Sequence, residues 1–138
     1  HFDHADIYGN GVCEEIFGRV LRDVPGLRDR ILIGSKCAIR WKGDPFESAP
    51  HRYDFSKEHI LASCEASLRR LGTDRIDLYM LHRPDYLAEP HEIADAFNTL
   101  KAQGKVLEFG VSNFRPSLLA AVQNASVEKS VSDHDVAR

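Results

Sequence analysis

The strongest constraint on how this chain folds is a repeat of architecture rather than of letters. A short apolar strand followed by an amphipathic helix recurs four times, at spacings of about thirty residues, the length of a βαβ building block. The strands read from Phe2 to Ile7, from Ile31 to Lys36 (ILIGSK), from Ile76 to Leu81 (IDLYML) and from Val106 to Val111 (VLEFGV). After the first, Gly9 and Asn10 supply turn chemistry and Glu14 and Glu15 open a helical pattern. There Ile16, Phe17, Val20 and Leu21 predict one buried stripe, ended by Pro25-Gly26. Ser56 is placed to cap a second helix with an apolar face of Ile60, Leu61, Cys64, Leu68 and Leu71, Arg69 and Arg70 in its last turn and Gly72 as its stop. Pro90 suits the first position of a third helix, built on Ile93, Ala96, Phe97 and Leu100 and closed by Gly104; Pro116 starts a fourth through Leu118, Leu119 and Val122.

Parallel strands need helical crossovers, which leaves an open doubly wound sheet or part of a (β/α)8 barrel. Both put ligand chemistry at the carboxyl ends of the strands. No strand is followed by GxGxxG or GxxxxGK[ST], the phosphate-binding loops of the common open-sheet folds, and this favours the barrel. A whole barrel takes ~250 residues, so the expectation is an α/β chain forming a partial TIM barrel of about four consecutive βα units. Residues 1–124 make this incomplete domain. In residues 125–138 (ASVEKSVSDHDVAR) a fifth apolar strand is due and absent, so they read as an atypical, disordered or non-family tail. The chain opens at His1 without an initiator methionine, inside a strand, and reads as a fragment. Residues 39–55 show neither helical nor strand period and form a long excursion at the strand-exit side, where Trp41, Phe46 and Tyr53 are candidates for a pocket wall.

Composition narrows the partners. With 43% hydrophobic and 28% charged residues the chain falls among ordinary soluble globular sequences. A net charge of −3 gives no general electrostatic reason to expect nucleic acid or anionic lipid. No apolar run approaches the ~20 residues of a membrane helix, so the sequence predicts a cytoplasmic protein without membrane or nucleic-acid partners; its oligomeric state is not readable. Cys13, Cys37 and Cys64 are too few and too irregularly spaced for a disulfide framework or zinc ribbon and read as core or near-core thiols.

The chemistry lies in what stands at the strand exits: Asp3 and Tyr8, Lys36, His82, and Ser112 with Asn113. In a parallel barrel all these exits open on one rim, so groups distant in sequence converge on one cleft. A phenol is a poor proton donor at neutral pH, but an ammonium beside it favours the phenolate. Lys36 is suited to act in this way on Tyr8, Asp3 to hold the lysine in place, and His82 to donate a second hydrogen bond to a bound oxygen. The set suits proton delivery to a carbonyl oxygen and lacks a reductant of its own, which a cofactor would supply.

These segments resemble the aldo-keto reductases. FDHADIYG resembles that family's FDTAxxYG segment, ILIGSK its strand ending in a catalytic lysine, IDLYMLHRPD its strand ending in a catalytic histidine, and GKVLEFGVSNF its GxxxxxGVSNF segment. The four occur in order over residues 1 to about 124, in wording most similar to bacterial NADP-dependent members. The resemblance implies a tetrad of Asp3, Tyr8, Lys36 and His82 with Tyr8 as general acid, and Ser112 and Asn113 holding the carboxamide of NADPH. It also implies hydride transfer to a small aldehyde or ketone. Relative to the family pattern, a first strand before His1 and the last strands and helices are absent. Two other readings stand beside it: a non-catalytic nucleotide-binding or regulatory module on the same scaffold, and a metal-dependent hydrolase using His1, Asp3, His4 and His82. The reductase reading includes no metal.

Overall fold

The structure, a computed structural model, describes the backbone of residues 1–135 and the side chains of residues 1–125. Its main sheet holds four strands, β1 (Phe2–Asp3), β2 (Ile33–Cys37), β5 (Ile76–Leu81) and β6 (Val106–Val111), in that spatial order and all parallel. Sequential neighbours without a reversal of order are the arrangement of a barrel wall, since a doubly wound sheet changes direction at a switch point. Between the strands run α1 (Val12–Asp23), α2 (Lys57–Leu71) and α3 (Pro90–Ala102), with α4 (Pro116–Asp135) following β6. Right-handed crossovers between successive strands put such helices on one face, and each helix here packs on the next.

The local signals behind these elements are physical. The Ser56 hydroxyl accepts a hydrogen bond from the His59 N–H at 3.3 Å and so caps α2, while Gly72 ends it in the left-handed region at φ 65°. Pro90 begins α3. The core lies between sheet and helices: Ile33, Tyr79 and Leu81 from the strands are fully buried against Ile60, Cys64 and Leu71 of α2 and Leu100 of α3. Each such aliphatic side chain contributes ~1.5–3 kcal/mol by leaving water.

The structure differs from the sequence reading in several places. Helix α1 buries only part of the predicted stripe: Phe17 and Leu21 pack against the core, Ile16 and Val20 stay exposed, and the helix approaches α2 through Gly18. A β-carbon there would stand 2.3 Å from the Arg70 carbonyl oxygen, so only glycine permits the close packing that turns Ile16 and Val20 outward. Strand β2 begins at Ile33, leaving Leu32 exposed, and ends one residue beyond Lys36, at Cys37. Within the excursion at 39–55, β3 (Ile39–Arg40) pairs antiparallel with β4 (Arg52–Tyr53). The stretch read as an atypical tail continues α4 as far as Asp135, with no glycine or proline to break it; residues 136–138 lie outside those described.

At the strand-entrance end an ionic clamp ties the wall together. Asp77, second residue of β5, accepts from the Ile33 N–H at 2.7 Å and pairs with Arg28 at 2.8 Å. Arg28 also donates to the Thr73 hydroxyl and to the Ile31 and Arg75 carbonyls. The opposite end carries the candidate site.

Candidate active site

The parallel register fixes the site's frame. Asp3 stands beside Gly34, Lys36 beside Met80, and Leu81 beside Val111. The ladder continues past the strands: the Asp6 N–H donates to the Lys36 carbonyl, His82 N–H to Cys37 and Ser112 N–H to Leu81, at 2.9–3.0 Å. Each exit segment is thus tied to its neighbour before its side chain is displayed.

Lys36 is the centre of the group. Its ammonium is buried and donates to Asp3 Oδ2 at 2.6 Å and to the His4 carbonyl at 2.9 Å. A buried cation needs a partner and hydrogen bonds, and Asp3, half exposed, provides the charge. The same nitrogen lies 5.3 Å from the centroid of the Tyr8 ring. Tyr8 stands in a short 3-10 turn, Tyr8–Gly11, where Gly9, Asn10 and Gly11 all adopt positive φ (56°, 55° and 92°). That conformation suits glycine and asparagine and reverses the chain sharply into α1. The Tyr8 ring meets the His82 ring edge-on, with centroids 5.7 Å apart and planes at 79°.

His82 is buried and its Nδ1 has no hydrogen-bond partner among the described residues. Burial, reinforced by the Lys36 and Arg83 charges, holds its imidazole below the usual histidine range, which keeps it neutral near pH 7 with one N–H to offer. Asn113, at φ 64°, donates to the Ser112 hydroxyl at 2.8 Å and makes a longer contact of 3.4 Å to the His82 carbonyl. All six residues singled out in the sequence therefore come from neighbouring exits of one sheet. A hollow of about 500 Å³ opens beside them, lined by Tyr53 from the hairpin, by Arg83 to Leu87 after β5, and by Asn113. Trp41 lines a different hollow, behind the Tyr8 turn, with Asp6, His59 and Arg70. Of the three candidate wall aromatics, Tyr53 therefore faces the site's hollow and Trp41 the other; Phe46 is exposed.

For the alternative metal reading, no group of three or more His, Cys, Asp or Glu residues able to hold a metal ion occurs among the described residues. The exit of β6 does present what a carboxamide requires, a hydroxyl that can accept and an amide that can both donate and accept.

Sequence reasoning missed a buried network under the Tyr8 turn. Glu14, fully buried in the first turn of α1, accepts from the Ser35 hydroxyl at 2.6 Å and pairs with Arg70 of α2 at 2.7 Å. The motif YGNGVCEE carries the carboxylate in plain view, but a glutamate in a first helical turn reads as solvated. Its partners lie 21 and 56 positions away.

Comparison with known proteins gives a consistent picture. The sequence model of the Aldo/keto reductase family matches residues 1–135. The chain is 47% identical over 134 residues to the uncharacterized oxidoreductase YcsN of Bacillus subtilis, covering 96% of this chain and 44% of that protein. It is 45% identical over 132 residues to the 6-dehydroglucose reductase of Agrobacterium fabrum, covering 95% and 44%. Among solved structures, the aldo/keto reductase from Klebsiella pneumoniae in complex with NADP and acetate superposes with a TM-score of 0.68 at 34% identity, over 86% of this chain and 36% of that one. The chain thus spans about two fifths of the length of the curated relatives it matches.

Proposed function

The chain belongs to the Aldo/keto reductase family, and from that premise we propose that the protein reduces the carbonyl group of small aldehydes or ketones to an alcohol, with NADPH as reductant and Tyr8 as proton donor. The observation that carries this reading is the convergence on Tyr8. The Lys36 ammonium lies 5.3 Å from its ring centroid, and the neutral His82 ring meets it edge-on with centroids 5.7 Å apart. When bound, the reduced nicotinamide supplies the hydride that adds to the carbonyl carbon. The chain's own residues handle the oxygen. As negative charge builds there, Tyr8 Oη gives up its proton to it, with the Lys36 ammonium 5.3 Å from the ring centroid. The His82 N–H donates to the same oxygen and, being neutral, holds it without a competing proton. Asp3 keeps Lys36 oriented through the 2.6 Å ion pair.

Ser112 and Asn113 are the residues that would hold the cofactor's carboxamide. The positive φ of Asn113 turns its amide back toward His82, so the ring that delivers hydride and the group that delivers the proton would share one wall. The relative from Klebsiella binds NADP, and the one from Agrobacterium carries the name of a reductase of an oxidised sugar; both support the reading.

The test is Tyr8→Phe in the full-length protein. A positioned general acid contributes 10²–10⁴-fold, so turnover of an aldehyde should fall by roughly 100-fold or more, while NADPH binding followed by fluorescence stays within twofold of wild type. Unchanged turnover would remove Tyr8 from the mechanism.

A further inference from the structure

Beneath the Tyr8 turn lies charge that no step of the proposed reaction uses. Glu14 is completely buried, yet it is ionically paired, with the Arg70 Nε–H donating to Oε2 at 2.8 Å and Nη2 of the same guanidinium 2.7 Å away. Its other oxygen accepts from Ser35, which is fully buried and precedes Lys36 in β2. Arg70 donates in addition to the Ser67 hydroxyl at 3.2 Å. The Arg70 side chain also lies directly against Gly11, the last residue of the Tyr8 turn: a β-carbon on Gly11 would stand 2.9 Å from Arg70 Cδ and 3.0 Å from Nε. One carboxylate therefore joins the strand that carries Lys36 to the guanidinium on which the Tyr8 turn rests.

A buried ion pair is a poor source of stability, because removing two charges from water costs about as much as their attraction returns, and apolar replacements of similar volume are often as stable or more so. What it does supply is a unique geometry, since both partners must sit where their hydrogen bonds close. We propose that Glu14 and Arg70 are positioning residues, which set the distance between the Tyr8 hydroxyl and the Lys36 ammonium by clamping the turn to β2 and α2. This rests on the reductase reading of Tyr8 given above. The pair's location bears on the choice between a positioning and a merely structural role. Arg70 takes part in both: its backbone carbonyl forms the close α1–α2 approach at Gly18, while its side chain reaches the first turn of α1, directly after the Tyr8 turn, to meet Glu14.

The test separates the two roles with a charge-free pair. Arg70→Met alone leaves the Glu14 carboxylate buried and unpaired, so both the unfolding midpoint and the turnover should drop. The double variant E14Q/R70M removes both charges and should recover a urea midpoint close to wild type. On the positioning account its kcat for aldehyde reduction stays at least tenfold low with KM within twofold of wild type, and Arg70→Lys, which keeps the charge without the fork, falls between. If kcat returns together with stability in the double variant, the pair is only structural and the proposal is wrong.

A second readout keeps this distinct from the function itself. With 3-fluorotyrosine placed at position 8, the double variant should show a displaced or broadened ¹⁹F resonance despite native stability. A sharp resonance at the wild-type position overturns the proposal even if wild type reduces no carbonyl, whereas absence of wild-type turnover with a displaced resonance counts against the reductase reading alone.

Discussion

Asp6 gives the structure a pH dependence that can be worked out in advance. Its carboxyl is mostly buried below the Tyr8 turn, and Oδ1 has no hydrogen-bond partner among the described residues. Burial pushes its pKa from 3.8 up to about 7, with the Glu14 carboxylate adding to the shift and Arg70 opposing it. Because the folded value lies above the unfolded one, the native state holds the proton more tightly, and ionisation costs stability. That cost is absent below the unfolded pKa, grows as pH rises toward 7 and is complete above it. At 1.36 kcal/mol per pKa unit, the part falling between pH 5 and pH 8 is about 2–3 kcal/mol. Asp6→Asn keeps the shape and removes the titration. Measured by urea unfolding across that range, the variant should gain about 2–3 kcal/mol on wild type between pH 5 and pH 8. The buried histidines His4 and His82 and the half-buried His59, whose imidazoles loss of water contact holds below the usual range, pull the other way on acidification. They are common to both proteins and cancel in the difference. Parallel pH profiles for the two proteins would refute the argument, because they would mean that the carboxyl reaches water or an unseen partner in the folded state.

Two further outcomes follow from the packing. Gly18→Ala forces a β-carbon to within 2.3 Å of the Arg70 backbone carbonyl oxygen, so α1 must lift from α2 at a cost of about 2–3 kcal/mol, readable as a lower urea midpoint. Lys36→Met removes a buried cation and leaves its partner Asp3, half exposed, to solvent. Stability should change by no more than about 1 kcal/mol while aldehyde turnover falls roughly 100-fold; retained turnover would show that the ammonium has no part in the chemistry.

The fold was legible because each βα unit carries a strand, a helix period and punctuation within some thirty residues, and those are local signals. The convergence of the candidate site's residues was legible for a related reason: Lys36 and His82 are polar residues at the ends of apolar runs, and Tyr8 precedes a glycine-rich turn. What could not be read depends on distance or on the absence of a side chain. Helix α1 turns its glycine inward and its isoleucine outward, an inversion that hydropathy cannot express. The two-residue strands at Ile39–Arg40 and Arg52–Tyr53 are too short to show any period. Glu14 and Arg70 each satisfy an ordinary rule for helix ends, acid first and base last, and nothing in either rule indicates that one neutralises the other.

The clamp of Arg28, Thr73 and Asp77 and the cluster around Lys36 occupy opposite ends of the same short strands, and damage at the two ends should look different to a geneticist. Lesions at the clamp would give thermosensitive alleles, rescued by cooling, by chaperones or by unrelated second-site suppressors. Lesions at the other end would be null at every temperature, with normal protein levels, and open to no such rescue.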